Sequence, residues 1–556
     1  MATIVVIGSG FGGSIAAKRF TAAGHNVTLI EMGERWYDPS IPVGRTTPDL
    51  RKSDPAKVKQ SQDSKHVMRL YRNYPHDFAS LTYPTRSSTN GTFCSDQPEQ
   101  PASVHVPKVI VTQGMGLGGG SLVYSGIHLR APTAAFSSWT GGWSRTNLDY
   151  YYDRVEQRLG VGPIANGTSF PRSGVFAAGA TANGWTRKSN PLAMTNCKGC
   201  GWCVPQCIYD RKNTMQHTYL FDAYETGRLS ILTNYKAYMI TKYGTKYRVM
   251  VWSTSGVTDS YHRVNSGTIY YVEGDQVVVS CGAVESPALL QRSLNNSIPW
   301  TGYTRIAAFP TGYLGNGVDG TGDFVQGGLV PSNYKVMGYK GAIMLNNVDR
   351  GDFVLEDVFA IPAGPALLAP CSFPAQDYNG YSMTWGLAYK QKMMNYGQRM
   401  IGIGIMGRQG AGTEGNIVVA DDPAGTGNVK ITSTAAYTPP AGAIAAARAM
   451  ITGLGAGADI IDTPWEDYGQ AMTVHPTGGC RMGGTSFAVQ DTDLQVRNNP
   501  GLYVIDGSVL QTSPLRNPSH TIAAVAERAM DVILGVYGSS TWPAPPALPA
   551  WWSQCY

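Results

Sequence analysis

Four cysteines fall within eleven residues, as Cys197-x-x-Cys200-x-x-Cys203-x-x-x-Cys207. Thiolates two residues apart can wrap one iron–sulfur cluster, 4Fe–4S or 3Fe–4S. Four thiolates also satisfy the tetrahedral preference of zinc. Disulfides or free thiols are the third reading, since cysteine spacing alone does not choose among these. In the two-cluster ferredoxin pattern the fourth cysteine precedes proline. Here Ile208 follows Cys207 and no second run exists, so any cluster would be single.

A second constellation lies at the N-terminus. The apolar run Ile4 to Ile7 leads into Gly8-Ser9-Gly10-Phe11-Gly12-Gly13. A helical pattern follows from Ser14 to about Ala23, then a second apolar run, Val27 to Ile30, ending at Glu31. This order of strand, glycine turn, helix, strand and acid fits a dinucleotide. Gly8 permits the tight turn, Gly10 admits a pyrophosphate, and Gly13 lets helix and strand approach. The helix start offers unpaired N–H groups and a favourable dipole to phosphates. Glu31 is suited to accept hydrogen bonds from ribose hydroxyls and disfavours a 2′-phosphate. A third region, Gly114-Met115-Gly116-Leu117-Gly118-Gly119-Gly120-Ser121, is so rich in glycine that backbone must lie close to something flat or bulky. A flavin needs such a loop and a nicotinamide does not.

With these residues in view, the sequence resembles the glucose–methanol–choline (GMC) flavoprotein oxidoreductases, and within them the cholesterol-oxidase-like branch. Gln113 to Gly126 is similar to that branch's flavin-contacting loop, although Tyr124 stands where the family often has Asn. Gln276 to Ser280, running into Cys281-Gly282-Ala283-Val284-Glu285-Ser286-Pro287, resembles the family's second signature, with Cys281 at a position usually held by a small residue. The C-terminal catalytic region is matched by His475-Pro476-Thr477-Gly478-Gly479-Cys480-Arg481-Met482-Gly483, by Asp506-Gly507 after the run Leu502 to Ile505, and by Asn517-Pro518-Ser519-His520-Thr521 at a helix start.

The resemblance implies bound FAD, with flavin N5 as hydride acceptor. It implies His475 as the base that takes the hydroxyl proton and Asn517 as its partner over the flavin. Asp506-Gly507 would contact the ribityl chain. Cys281 and Gly282 would lie beside the cofactor. His520 is either a second polar group over the flavin or a helix-dipole contact. In cholesterol oxidases an acid before Pro-Ala-Gly lies over the substrate. Asp357 aligns with it ahead of Pro362-Ala363-Gly364, with Glu356 as neighbour. The cysteine run is similar in place to cluster loops of GMC-like dehydrogenases that use outside electron carriers.

These motifs need a scaffold that draws distant segments together. With 556 residues the chain exceeds one ordinary domain. The expectation is an α/β protein. A discontinuous Rossmann-like FAD domain would use about 1–45, 110–126, 215–318 and 468–540. An α+β substrate domain with an antiparallel sheet would use 46–109, 127–214 and 319–467, with the cysteine loop 197–207 inside it. Ile401 to Met406 suits a strand of that sheet. Ser80 to Val104 reads as a surface excursion, and 541–556 as a Pro/Trp-rich tail. The net charge of +6 comes without a Lys/Arg run, which gives nucleic-acid binding no support. No long apolar span and no leader pattern precede the first strand, so the expected location is cytoplasmic. The expected reaction is oxidation of an apolar or polycyclic alcohol, with electrons passed to oxygen or an acceptor protein. A flavoprotein isomerase or lyase without net oxidation is the alternative.

Overall fold

The computed structural model describes residues 1–35, 51, 71–75, 109–201, 203, 207, 209–254, 269–295, 302–337, 340–358, 398–419, 429–432, 438–461 and 471–537. Pro362-Ala363-Gly364, the stretch Ser80 to Val104 and the tail from Trp542 lie outside these residues.

The apolar runs read from the sequence become one parallel sheet. Its order is Leu502–Val504, Gln276–Val279, Thr3–Ile7, Asn26–Glu31 and Leu229–Thr233. The register is Ile4 with Val27 and Gln276, through to Ile7 with Ile30 and Val279. Strands this continuously apolar are stable only when both faces are covered. The helix Phe11–Ala22 packs against this sheet and against the C-terminal helix Ser519–Ile533. Arg19 of the first helix meets Glu527 at 2.7 Å and also Asp531. The first helix starts three residues earlier than its apolar pattern suggests. Gly10 is its extended N-cap, so Phe11, Gly12 and Gly13 make the first turn.

Strands of a parallel sheet share a carboxyl end, and ligands bind there. Gly8 follows Ile7, Glu31 ends its strand, Ser280 follows Val279, and Asp506 comes two residues after Val504. Four motifs scattered over 500 residues therefore converge because of strand polarity alone.

The second unit is a six-stranded antiparallel sheet in the order Asp459–Ile461, Phe324–Leu329, Met400–Met406, Val354–Val358, Asn346–Asp349 and Lys188–Ser189. Helices Pro171–Ala182 and Ala443–Thr452 cover one face through Val175, Phe176, Leu355, Ile401, Ile403, Ile405, Ala447 and Met450. Side chains alternate across a strand. The opposite face therefore carries Glu356, paired in register with Gly404, and Val325, which also pairs with Gly404. A small sheet ties the two units: Ala471–Thr473 runs parallel to Val109–Gly114, the strand that feeds the second glycine loop. Among the described residues no helix is long and apolar enough to cross a membrane.

Candidate active site

The first glycine turn is built by contact and by clearance. A Cβ on Gly8 would sit 2.1 Å from the Ser280 carbonyl, and Gly8 has φ +93°. On Gly12 it would sit 1.7 Å from the Ile505 carbonyl, and on Gly13 2.0 Å from that of Gly8. These glycines let the helix rest on the strand ends. Gly10 and Gly120 differ: nothing lies within 4 Å of their added Cβ. No acidic side chain occupies the first turn and no side chain caps it. The positive end of the helix thus faces open space beside Gly10, as a diphosphate requires. The second loop closes over it. Gly119 packs on the Gly10 backbone, and the Gly118 N–H donates to Ser9 Oγ at 2.9 Å. Ser121 Oγ anchors the loop to Gly118 O at 2.6 Å and receives the Met215 N–H at 2.9 Å. Gly114 touches Gly120 and Val123. These residues fit FAD in shape and polarity.

Two acids expected to touch the cofactor act as clamps. Glu31 Oε2 accepts from Ser9 N–H at 3.1 Å and Ser9 Oγ at 2.5 Å, while Oε1 accepts from Gly33 N–H at 2.9 Å and Gly116 N–H at 3.3 Å. A carboxylate offers about four lone-pair sites. Glu31 thereby joins the two glycine loops. Asp506 is similar. It receives Gly282 N–H at 2.8 Å, Ser286 Oγ, Ser508 N–H at 2.8 Å and Ser508 Oγ, fastening the Cys281-Gly282 turn to the Gly507 turn. Burial pushes both carboxyls up, against these donors. The Cys281 thiol is also raised by burial and lies 3.5 Å from Ile7 O, as an inert thiol should. The Phe11 ring packs edge-on to Tyr124 and His128, leaving its backbone as its contribution to the turn.

His475 follows the strand Ala471–Thr473. Its segment is pinned by Gly478 N–H to Gly507 O at 3.0 Å and Cys480 N–H to Ser508 O at 3.0 Å. Its Nδ1 lies 2.9 Å from Asp323 Oδ1. Burial alone would draw the imidazole down. The Asp323 charge and hydrogen bond, together with Glu356, carry it above its ordinary value. Asn517 precedes the C-terminal helix but does not cap it, since the N-cap is Pro518. Its Nδ2 donates instead to Glu356 Oε2 at 3.2 Å. Asn517 Oδ1 and Glu356 Oε1 are buried with no hydrogen-bond partner. Two orphaned acceptors at one place are costly unless something else binds there. Burial pushes the Glu356 carboxyl up to about 7, against the Asn517 hydrogen bond and the His475 charge.

The structure corrects two expected site residues. Asp357 points to the helix-covered face. It accepts from Arg172 Nε at 2.7 Å, Leu345 N–H at 2.8 Å, Asn346 N–H at 2.6 Å and Asn346 Nδ2 at 3.0 Å. Strand parity gives the site to its neighbour Glu356. His520 is fully buried. Its Nδ1 lies 2.7 Å from His128 O and its Nε2 3.4 Å from Tyr152 O, and burial drives its pKa well down. It braces the helix against the 128–152 region and contacts none of His475, Asn517 and Glu356.

The thiols of the cysteine run lie near enough to feel one another's charge: Cys197 that of Cys200 and Cys207, and Cys203 that of Cys197 and Cys207. Cys197, Cys200, Cys203 and Cys207 are free thiols. Gly199 N–H points at Cys197 Sγ (3.4 Å) and Arg211 N–H at Cys207 Sγ (3.3 Å). Burial pushes the Cys197 thiol up and that of Cys203 up to about 12. Among the described residues no group of three or more His, Cys, Asp or Glu is placed to hold a metal ion. Buried Lys212 ties this segment to the flavin-side loop, donating to Cys203 O at 2.6 Å, Leu122 O at 2.7 Å and Tyr124 O at 2.9 Å.

Asp323 carried no signal in the sequence. It lies 152 residues from His475 in an unremarkable Thr-Gly-Asp stretch.

Comparison with known proteins agrees with this geometry. An uncharacterized GMC-type oxidoreductase of Mycobacterium tuberculosis is 24% identical over 574 residues, covering 96% of this chain and 77% of its own. A cholesterol oxidase of the same species is 25% identical over 254 residues, covering 40% of this chain and 37% of its own. The crystal structure of pyridoxine 4-oxidase from Mesorbium loti superposes with a TM-score of 0.61 at 18% identity, covering 96% of this chain and 99% of that one. The family description "GMC oxidoreductase" matches residues 4–299 with its N-terminal part and 425–526 with its C-terminal part. The chain therefore belongs to the GMC oxidoreductases, a family of FAD-binding flavoproteins with a Rossmann-like cofactor domain.

Proposed function

We propose that this chain oxidises the CH–OH of an apolar or polycyclic alcohol to a carbonyl. Bound FAD, held by Gly8 to Gly13, Gly114 to Ser121 and the Gly282 and Gly507 turns, would supply the hydride acceptor. The chain's own residues do the rest. His475 Nε2 takes the hydroxyl proton as the C–H hydrogen leaves with its electron pair. Asn517 orients the substrate oxygen through its amide. Glu356 lies beside them as a proton carrier near neutrality. The electrons pass on to oxygen or to an acceptor protein.

The observation that supports this best is the meeting of His475, Asn517 and Glu356 with two buried, unpartnered acceptors among them. An apolar substrate is favoured by exposed Val325 on the sheet face that carries Glu356, and by exposed Val474 next to the base. The partial likeness to a cholesterol oxidase points the same way.

The test is anaerobic bleaching of the flavin in the FAD-loaded protein by cholesterol and by 1-octanol. Reduction is expected with at least one, and His475→Asn is expected to slow it on the order of 10²- to 10⁴-fold. Reduction of the His475→Asn variant by either alcohol within threefold of the parent rate would overturn the reading. Peroxide yield in air against reduction of a one-electron dye then separates oxidase from dehydrogenase. The unpartnered Glu356 oxygen also favours a second reading, isomerisation without net oxidation. Product mass decides, because isomerisation leaves it unchanged.

A further inference from the structure

We propose that Asp323 is the positioning residue of this site: it fixes His475 in the tautomer that presents a bare Nε2 to the alcohol, and it stabilises the imidazolium formed when the proton arrives. The inference rests on His475 being the base.

The geometry is specific. Asp323 stands immediately before the strand Phe324–Leu329 and is buried. An ionised carboxylate only accepts hydrogen bonds. With Asp323 Oδ1 at 2.9 Å, His475 Nδ1 must carry the proton, and Nε2 keeps the lone pair. The carboxylate itself cannot turn. Thr321 Oγ1 holds Oδ1 at 2.9 Å, while Thr473 Oγ1 at 3.0 Å and the Val474 N–H at 3.1 Å hold Oδ2. Thr473 Oγ1 also receives the His475 N–H at 3.1 Å, so one hydroxyl orients both partners. Three of these contacts come from residues 473–475.

Its neighbour Asp319 shows what a purely structural acid looks like in the same loop. Asp319 caps the Thr321 N–H at 2.7 Å and exchanges backbone bonds with Thr477, and its carboxylate makes no contact with the imidazole. The charged groups that act on His475 are Asp323 on the Nδ1 side and Glu356 from the strand Val354–Val358, itself flanked by Asp357 and Asn517. In the proton step, the alcohol O–H bond breaks, a bond from Nε2 to hydrogen forms, and the positive charge on the ring is met by the Asp323 carboxylate. Nothing is transferred to Asp323.

The consequence has a sign. The base must be neutral to act, so the rate rises with pH through the imidazole's ionisation. Removing the Asp323 charge makes the ring hold its proton less tightly. The acid limb of kcat/KM then moves to lower pH while the plateau falls. A merely structural acid would lower the plateau and leave the limb in place.

Two measurements test this on the full-length, FAD-loaded protein. The first is ¹⁵N NMR of histidine-labelled protein, with His475 assigned by its loss in His475→Asn. Above its ionisation the parent protein is expected to show protonated Nδ1 and bare Nε2. Protonated Nε2 would overturn the proposal, with no need for a foldable Asp323 variant. The second is the rate of flavin reduction by cholesterol or 1-octanol against pH in Asp323→Asn. A loss on the order of 10²- to 10⁴-fold is expected, as when the carboxylate behind a catalytic imidazole becomes an amide, with flavin content retained and the acid limb moved down. A rate within threefold of the parent, or a slowed enzyme with an unmoved limb, would refute it. If His475→Asn slows reduction at least about 10²-fold while Asp323→Asn stays within threefold of the parent, only this inference falls. If His475→Asn is reduced within threefold of the parent rate, the underlying reading falls instead.

Discussion

Glu356 and Asp357 are consecutive acids on one strand, both fully buried, yet they live in opposite surroundings. Asp357 faces the helices and receives four donors, Arg172 among them. Glu356 faces the active site, receives one bond from Asn517 and keeps one oxygen without a partner. Burial is equal, so burial does not explain the difference. The supply of donors does. A cation and several N–H groups hold the Asp357 carboxylate as part of the structure, whereas burial outweighs the few donors on Glu356 and poises it to take a proton. One residue of strand parity thus separates a structural ion from a chemical group.

The largest effect expected from this contrast is on stability. Asp357→Ala leaves the Arg172 guanidinium buried without its carboxylate, which costs about 3–5 kcal/mol. The unfolding midpoint in urea should fall accordingly, with flavin reduction largely kept in the fraction that remains folded. Glu356→Gln should do the reverse. Its shape is preserved, so at about pH 4.5 and below, where the folded protein already holds the carboxyl protonated, the urea midpoint should hardly move. Turnover should fall on the order of 10²-fold if the carboxyl moves a proton. Equal effects of the two substitutions on either axis would erase the distinction. The pH dependence sharpens it further. The folded-state pKa of Glu356 is raised to about 7, so its protonated form is the one the fold favours. It imposes no penalty at low pH, and the penalty grows as pH rises toward its folded pKa, to a limit of about 3 kcal/mol at 1.36 kcal/mol per unit. His475, raised as well, acts in the same direction at slightly higher pH. Stability should therefore decline as pH rises from about 4.5 to about 7 and further through the raised His475 ionisation, and Glu356→Gln should flatten the first part of that decline.

This contrast marks the boundary of what sequence could tell. The nucleotide site was legible because its logic is local: Ile4 to Glu31 contains strand, turn, helix and acid in one unbroken stretch. The partners that complete the catalytic group are not local. A strand at Val354–Val358 can be read from residue types, but which of two adjacent acids faces the substrate depends on which face the helices Pro171–Ala182 and Ala443–Thr452 cover. Asn517 before a helix looks like a cap, and only the fold shows its amide turned to Glu356. The cysteine spacing is compatible with a cluster, zinc or free thiols, and spacing alone does not choose among them. Glu31 and Asp506 were legible as acids at strand ends but not as clamps, because their donors come from the far loops Gly116 and Gly282.

The same rule of neighbours with opposite fates applies to the glycines of the first turn and gives the smallest effect. Gly12 and Gly10 are two residues apart in one motif. A methyl group on Gly12 would run into the Ile505 carbonyl at 1.7 Å, so Gly12→Ala must displace the helix from the strand ends. Gly12→Ala should therefore lower both the unfolding midpoint and the flavin content. A methyl on Gly10 meets no protein atom within 4 Å. Nor is its backbone left-handed: it is the extended N-cap of the helix, with φ −66° and ψ −164°. The protein alone gives Gly10 no reason to be glycine, which leaves the bound diphosphate as the reason. Gly10→Ala should keep the unfolding midpoint of the flavin-free protein. It should weaken FAD binding by roughly tenfold, or about 1.4 kcal/mol, measured by flavin fluorescence on titration of apoprotein. Unchanged FAD affinity in Gly10→Ala would mean that the phosphates do not lie against this turn. The open space beside Gly10 would then need another occupant.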